Sequence, residues 1–212
     1  MIIFMLIGKS SCGKDTIYKE LLKQFDVDPI VVHTTRSMRV NEIDGVTYHF
    51  DTYDRYKEYV DSNEMVASSK YTLYDKSGNP YDAYYYTVKD DLLIGEKPKI
   101  VIGNPNLYSQ YISFLGLGIV YPIIIEVDDG VKLERALKRE REQIKPNYLE
   151  MCRRFIRDSE DYSPENFKMI GLDRFPSFEN DNLHKCIDRV SIYIKAMIKA
   201  YNENERRWHN WQ

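Results

Sequence analysis

The sequence predicts an α/β fold in which helices flank a parallel β-sheet. Residues 1–7 form an uninterrupted apolar run, which is typical of a central strand covered on both faces. Amphipathic helical patterns alternate with further apolar runs along the chain. The 212 residues are 43% hydrophobic and 30% charged, a composition that excludes disordered and fibrous proteins and suffices for a buried core.

The first strand is followed by a predicted helix over 15–25, because apolar residues recur there at three- and four-residue steps. A second short strand is predicted at 30–33. Residues 34–91 are rich in Tyr, Asp and Ser and predict an inserted subdomain. Within it we expect a strand-like stretch at 46–50, a short helix at 53–60, and a hairpin or loop around 77–80.

The alternating pattern resumes after the insert. Pro122 lies inside one apolar run, so we expect the regular ladder to begin after it or the strand to lie near a sheet edge. The predicted elements are a helix end at 90–95, a strand at 99–103, a helix at 108–115, a strand at 119–127, a helical hairpin over 131–161 interrupted at 145–147, and a last helix over 182–202.

Charge and cysteine content restrict the function classes. The 30 basic and 33 acidic residues give a net charge of −3, which argues against nucleic acid as a partner and requires any anion site to be local. The three cysteines lack metal-type spacing, and the apolar start is too short for a signal peptide or a membrane span. We therefore expect a cytoplasmic protein without a membrane partner.

A phosphate-binding loop is predicted where the first strand meets the first helix. The stretch GKSSCGKDT, residues 8–16, fits GxxxxGK in the strand-to-helix context that this motif requires. Gly8 and Gly13 allow the backbone N–H groups, including that of Ser11, to face a polyphosphate. Lys14 would bridge the outer phosphates, and ATP is the expected ligand.

Magnesium is expected beside this loop, where the hydroxyl of Thr16 is the best ligand. Asp15 departs from the common pattern, since Ser or Thr usually occupies its position. A carboxylate there would either hold the metal through water or repel phosphate, and the sequence leaves both open.

A second anion site is indicated by Arg36, Arg39 and Tyr48. Two arginines can form charge-assisted bonds to a phosphate, and a phenol can add a neutral donor. Taken alone, two arginines three residues apart are more often a solvated face. The neighbouring residues decide the interpretation.

The stretch HTTRSMRVNEIDGVTYHF, placed after the phosphate loop, resembles the signature of the guanylate kinase family. The resemblance implies a P-loop NTPase-type core (1–33, 88–130 and 162–212), an inserted monophosphate-binding subdomain (34–87) and a helical lid (131–161). It further implies that Arg36, Arg39 and Tyr48 grip the phosphate of GMP, with Glu42 orienting the arginines.

The lid and the adenine site are also implied by this resemblance. Residues 131–157 carry nine basic and four acidic side chains, which favours a segment that faces an anion, although a solvated helical hairpin is the alternative. Arg139 and Arg154 are the best matches to the catalytic lid arginines that cover the ATP phosphates, with Arg141 as a neighbouring alternative. Asn180 matches a segment near the adenine.

The sequence departs from the family where the guanine base is read. Ala67 stands where the family has a glutamate, and Gly103 stands at a second expected carboxylate position, followed by Asn104. Thr87 matches a hydroxyl residue that contacts guanine. These losses bear on base choice more than on phosphate transfer.

The sequence therefore predicts an enzyme, a nucleoside monophosphate kinase that acts as a monomer or homodimer, with GMP or dGMP as the default acceptor. A kinase for a different nucleoside or deoxynucleoside monophosphate is one alternative. A guanylate-kinase-like module that binds nucleotide or protein without turnover is another.

Overall fold

A computed structural model describes residues 1–39, 42–75 and 77–209, with side chains up to 203. A 3₁₀ turn, Leu172–Arg174, lies among the helices and strands. In chain order the elements are β1 (Ile3–Ile7), α1 (Lys14–Gln24), β2 (Asp28–Pro29), β3 (His33–Thr34), β4 (His49–Phe50), α2 (Tyr53–Asp61), β5 (Met65–Tyr74), β6 (Pro80–Val88), α3 (Lys89–Leu93), β7 (Lys99–Gly103), α4 (Pro105–Leu115), β8 (Val120–Glu126), α5 (Asp129–Arg141), α6 (Tyr148–Asp161), α7 (Pro164–Ile170), β9 (Ser177–Glu179) and α8 (Leu183–His209).

The core is a five-stranded parallel sheet in the order β2-β7-β1-β8-β9, as the fold class predicted. All five residues of β1 are buried, because helices cover both of its faces. Phe4 and Leu6 join an apolar cluster with residues of α1 and α8, whereas Ile3, Met5 and Ile7 join a second cluster with α4. This alternation follows from the two-residue period of a strand.

Two predictions about the core strands were wrong. The single strand expected at 30–33 is divided into β2, which pairs with β7, and β3, which belongs to another sheet. The ladder of β8 begins before Pro122, at the pair Ile3–Val120, and β8 is an interior strand. Proline is tolerated there because β9 pairs with β8 only from Ile124 onward, so the side of Pro122 away from β1 needs no donor.

A second sheet, in the order β4-β3-β6-β5, is built mainly from a long antiparallel hairpin of β5 and β6. The hairpin closes between Tyr74 and Pro80, and residue 76 of the predicted turn lies outside the described residues. One face of this sheet carries Tyr84 and Tyr86, and the ring of Tyr56 on α2 stacks on Tyr84 and packs edge-on against Tyr86. The other face points toward the core sheet.

The predicted helical hairpin is confirmed as α5 and α6, which we call the lid. Asn147 caps α6 by accepting a hydrogen bond from the N–H of Glu150 at 3.1 Å. The carboxylate of Glu140 on α5 accepts the N–H of Asn147 at 2.6 Å, which fixes the turn between the helices. The sequence did not predict α7 or β9. In the part of the chain that the structure describes, no helix has the length and apolar character that a bilayer crossing needs.

Candidate functional site

The loop between β1 and α1 has the geometry of an anion cradle. A Cβ atom on Gly8 would lie 2.6 Å from the carbonyl oxygen of Ile125, so only glycine fits there. Gly13 has a φ of +93°, in the left-handed region that glycine adopts without strain. Ser11 adopts a φ of 64°, and the loop thereby turns its N–H groups inward ahead of the helix N-terminus.

The side chains that open α1 line a cavity of about 190 Å³ above this loop, which we call the loop cavity. The ammonium group of Lys14 donates hydrogen bonds to the carbonyl oxygens of Gly8 and Lys9. Asp15 and Thr16 are exposed in the first turn, where both offer oxygen atoms. The lining residues are Ser11, Gly13, Lys14, Asp15, Thr16, Arg135 and Arg139.

Asn180 supports the loop from behind. It is 3% exposed, and its side-chain amide donates to the carbonyl oxygen of Cys12 at 2.8 Å. A Cβ on Gly13 would lie 2.5 Å from the same amide nitrogen, so the loop packs directly on Asn180. The prediction that Asn180 contacts adenine finds no support in this buried position.

A second cavity of about 290 Å³ lies between the core sheet, the second sheet and the lid, and we call it the arginine cleft. Its size is at the lower end of small-molecule pockets. Its polar lining residues are Ser10, Arg36, Arg39, Tyr48, Ser69, Tyr71, Tyr85, Asn104, Arg154, Arg157, Asp158, Asp161 and Tyr162. The structure thus brings together the predicted residues Arg36, Arg39, Tyr48, Asn104 and Arg154.

Arg36 is 4% exposed and is held by protein groups. Its guanidinium forms a bidentate ion pair with Glu42, donates to the Tyr85 hydroxyl at 3.0 Å, and donates to the Ser37 carbonyl at 2.9 Å. Although burial opposes it, the hydrogen bond with Glu42 raises the pKa of Arg36 and correspondingly lowers the pKa of Glu42. These contacts use four of the five N–H donors, so Arg36 has one left for a ligand.

Arg39 and Tyr48 are freer to bind an anion. Arg39 is exposed, and among the described residues it has no carboxylate within 4.0 Å of its guanidinium. Tyr48 packs edge-on against Tyr85 and lies 5.0 Å from the Arg36 guanidinium. Burial raises the pKa of Tyr48 to about 12, so its phenol remains a neutral hydrogen-bond donor near pH 7.

Two positions that the sequence analysis assigned to base recognition, Ala67 and Thr87, lie in the protein core and not in the arginine cleft. Ala67 is 1% exposed within the core cluster around Ile7, and Thr87, its partner across the hairpin, is fully buried beside Tyr111. Neither residue lines the arginine cleft. A Cβ on Gly103 would lie 2.6 Å from the sulfur of Met5, so Met5 fills the space that a carboxylate there would need.

The cleft wall on the hairpin is formed instead by Ser69, Tyr71 and Tyr85. Asn104 lies opposite, and its amide donates to the Tyr71 hydroxyl at 2.7 Å while its oxygen caps α4 through the N–H of Leu107. Ser69 and Tyr71 were missed because no strand was predicted over β5, where they lie two and four residues after Ala67 on the same face.

The lid brings positive charge over both cavities. Arg154 lies mainly buried on α6, and burial, together with the nearby cations Arg39 and Arg139, lowers its pKa despite the opposing charge of Glu150. Its nearest carboxylate oxygen, on Glu150, is 3.6 Å away and forms no hydrogen bond with it. A guanidinium in this condition is stabilised by an added anion.

A small pocket of about 20 Å³ lies under the lid, between the two cavities. This pocket shares Ser10 and Arg154 with the arginine cleft, and it shares Ser11 and Arg139 with the loop cavity. Arg141 is exposed and lines none of these three cavities. Arg139 and Arg154 therefore lie between the two cavities.

Two carboxylates of the lid also reach this region. Asp158 accepts a hydrogen bond from the N–H of Ser10 at 2.5 Å, so a carboxylate occupies one of the loop donors. Burial and the neighbouring Asp158 raise the pKa of Asp161. The sequence analysis did not identify either residue, since acidic residues in a charged helix carry no local signal of such a contact.

Comparisons with known proteins agree with this geometry. A family model described as guanylate kinase matches residues 1–89. A guanylate kinase of Clostridioides difficile (strain 630) is 34% identical over 89 residues, 42% of this chain and 39% of the relative, so the match spans about two fifths of that protein's length. A guanylate kinase of Mesomycoplasma hyopneumoniae (strain 7448) is 24% identical over 206 residues, covering 93% of this chain and 95% of the relative.

A solved structure, that of guanylate kinase from Anaplasma phagocytophilum, has the same fold. It superposes with a TM-score of 0.62 at 16% sequence identity, covering 92% of this chain and 85% of that one.

The burial of Ala67 can be tested by Ala67→Glu. Because an unpaired carboxylate would enter the core, we expect a loss of about 3 kcal/mol or more in the free energy of unfolding, measured by urea denaturation. The matched control is Ala196→Glu, at an exposed position on α8, which we expect to change stability by less than about 0.5 kcal/mol. Equal stability of the two variants would contradict the core placement of Ala67.

The contact between Asp158 and the loop can be tested by Asp158→Ala. Removing a carboxylate that competes for the Ser10 N–H should strengthen ATP binding by about tenfold, measured by isothermal titration calorimetry. Glu160→Ala, at an exposed position on the same helix, is the control and should leave the affinity unchanged. Weaker ATP binding by Asp158→Ala would show that Asp158 supports the ligand instead of competing with it.

Proposed function

We propose that the chain is a member of the guanylate kinase family and that it transfers the γ-phosphoryl group of ATP to a nucleoside monophosphate, with GMP or dGMP as the default acceptor. The observation that carries the proposal is that one small pocket shares lining residues with both cavities. Ser10 and Arg154 line this pocket and the arginine cleft, and Ser11 and Arg139 line this pocket and the loop cavity. A polyphosphate in the loop cavity and a monophosphate in the arginine cleft would therefore meet end to end.

In this proposal the loop holds the donor. The N–H groups around Ser11 and Gly13 and the N-terminus of α1 bind the inner phosphates of ATP. Lys14, now donating to two loop carbonyls, turns its ammonium group to the outer phosphates. The proposal does not require Asn180 to touch ATP, since its buried amide already fixes the loop through the Cys12 carbonyl.

The residues at the start of α1 suit a magnesium ion. Thr16 and Asp15 present exposed oxygen atoms beside Lys14, and oxygen is the donor that Mg²⁺ prefers. Thr16 would bind the ion directly and Asp15 through water. When bound, the ion neutralises part of the charge on the β- and γ-phosphates.

The arginine cleft holds the acceptor. Arg39 and the neutral phenol of Tyr48 bind the monophosphate, while Arg36 contributes its remaining donor and, with Glu42, fixes the position of the Tyr85 hydroxyl. The acceptor is already an anion at neutral pH, so it needs no general base. Catalysis then depends on alignment of the two anions and on neutralisation of the transferring group.

The lid supplies that neutralisation. Arg154 and Arg139 lie between the cavities, where negative charge spreads over the transferring phosphoryl group. The same helices cover the junction, which excludes water and limits hydrolysis of ATP. We propose residues 131–161 as the mobile part and residues 34–87 as the acceptor-binding part of one domain.

The base of the acceptor nucleotide is the part of the proposal for which the structure supports a second candidate. Ala67 is buried and Met5 fills the space beside Gly103, so neither β5 nor β7 offers a carboxylate to the N1–H and amino group of guanine. Among the described residues, the carboxylates that line the cleft are Asp158 and Asp161. A kinase for another nucleoside monophosphate is therefore the second candidate.

The experiment that tests the function measures diphosphate formation from ATP and magnesium with GMP, dGMP, AMP, CMP, UMP and TMP in turn. We expect turnover with a guanine nucleotide. Turnover with one of the other bases alone would establish the second candidate. Measurable ATP binding without diphosphate formation from any acceptor would contradict the kinase proposal.

The acceptor role of Arg39 predicts a selective kinetic defect. Arg39→Ala removes a charge-assisted bond to the monophosphate, so kcat/KM for the acceptor should fall about 10- to 100-fold while the KM for ATP stays the same. The control is Arg55→Ala, at an exposed arginine of α2 that pairs with Glu58. An unchanged kcat/KM in Arg39→Ala would remove Arg39 from the site.

The lid arginines predict a defect in the chemical step. Arg154→Ala should lower kcat about 100-fold or more with smaller effects on both KM values, because the arginine acts mainly on charge that develops in the transition state. Arg141→Ala, in the neighbouring exposed position of α5, is the control and should retain wild-type kcat. The reverse result would assign the catalytic role to Arg141.

A further inference from the structure

A cluster of two histidines and two aspartates lies apart from the arginine cleft. His33 on β3 and His49 on β4 are direct partners in the parallel pairing of these strands, so both side chains share one face. Their ring centroids are 4.6 Å apart. Asp91, in the first turn of α3, and Asp51, just after β4, complete the cluster.

Three of these residues converge on one point. One ligand atom each from His33, His49 and Asp91 lies within 4.8 Å of the other two. The Nε2 atom of His33 is 3.5 Å from Oδ2 of Asp91. Two ligand atoms at about 2.0–2.1 Å from a tetrahedral zinc ion are roughly 3.3 Å apart, so this pair already has the required spacing.

The fourth residue, Asp51, fixes the orientation of the His33 ring. Oδ2 of Asp51 lies 2.6 Å from Nδ1 of His33 and also accepts the hydroxyl of Tyr86. Because a carboxylate accepts a hydrogen bond, Nδ1 of His33 donates to Asp51, and Nε2 is the ring nitrogen that faces Asp91. Although burial opposes it, the two flanking carboxylates raise the pKa of His33, so a metal ion at Nε2 would displace a proton. A carboxylate behind a histidine is the usual way in which proteins orient a metal-binding imidazole.

We propose that His33, His49 and Asp91 form a zinc-binding site, with Asp51 as the positioning residue. Two imidazoles and one carboxylate match the donors that zinc prefers, and the fourth ligand would be water. His49 is half-buried and its ring can turn toward the ion. None of the three ligands lines the arginine cleft or the loop cavity.

The zinc site lies where the chain enters and leaves the second sheet, so a bound ion would affect the stability of the fold. His33 lies where the chain enters the second sheet, three residues before Arg36, and Asp91 lies just after the chain leaves that sheet at the end of β6. A bound ion would join the two crossing segments. It should stabilise the folded chain by mass action, independently of any nucleotide.

The test is a titration of the full chain with Zn²⁺, followed by calorimetry, and with Co²⁺, followed by the visible absorption of the tetrahedral ion, without nucleotide. We expect one ion per chain and an increase in the thermal midpoint. His49→Ala and the isosteric Asp91→Asn should each abolish stoichiometric binding. Asp51→Asn should weaken it about 10- to 100-fold.

His184→Ala and Cys152→Ser, which change an exposed histidine on α8 and an exposed thiol on α6, are the matched controls. Both should bind zinc as the wild type does. The proposal is overturned if no stoichiometric ion binds, if binding survives in both His49→Ala and Asp91→Asn, or if either control loses it. Since no nucleotide is present, failure here would leave the kinase proposal intact, and failure of the kinase assay would leave the zinc site intact.

Discussion

The crowding of positive charge around Arg154 is the constraint on which the rest of the site depends. Burial and the neighbouring cations Arg39 and Arg139 lower its pKa, and its nearest carboxylate forms no hydrogen bond with it. Such an arrangement costs free energy in the absence of a ligand. A polyanion at the junction of the two cavities would reverse that cost, because each arginine would then face negative charge.

Arg36, unlike Arg154, is paired with protein groups, and these contacts hold the wall of the arginine cleft in place. Glu42, Tyr85 and Ser37 take up most of its donors, so the guanidinium serves as a fixed part of the cleft wall. The same division exists in the loop between β1 and α1, where the Asn180 amide donates to the Cys12 carbonyl, while Lys14 donates to loop carbonyls that it would exchange for phosphate in the proposed function. In each case a supporting residue that is held by protein groups lies beside a less restrained residue that can turn toward an anion.

The sequence predicted those parts of the fold and site that depend on local patterns. The phosphate loop, α1, the lid hairpin and the cleft positions of Arg36, Arg39 and Tyr48 follow from motifs and from hydrophobic periodicity. Features that depend on pairing between distant segments were missed. The long pairing of β5 with β6 brings Ser69 and Tyr71 to the cleft, and the short length of β9 decides that Pro122 is tolerated inside β8.

The roles of the supporting residues Asn180 and Asp158 could not be predicted from local sequence patterns either. Nothing in the chain around Asn180 or Asp158 indicates that their side chains reach the phosphate loop from 148 or more residues away. Gly103 was read as a lost carboxylate, yet the space beside it is filled by Met5 of the neighbouring strand. In each case the role of the residue depends on a contact with a segment that is distant in sequence.

The central claim is that the proposed donor and acceptor phosphates meet under Arg139 and Arg154. The most direct measurement is the affinity of a bisubstrate ligand, adenosine and guanosine joined 5′ to 5′ by five phosphates. We predict one ligand per chain, displacement by either ATP or GMP, and an affinity at least about 100-fold higher than that of ATP alone, since the second contact becomes intramolecular. An affinity no higher than that of ATP, together with no displacement by GMP, would contradict the account.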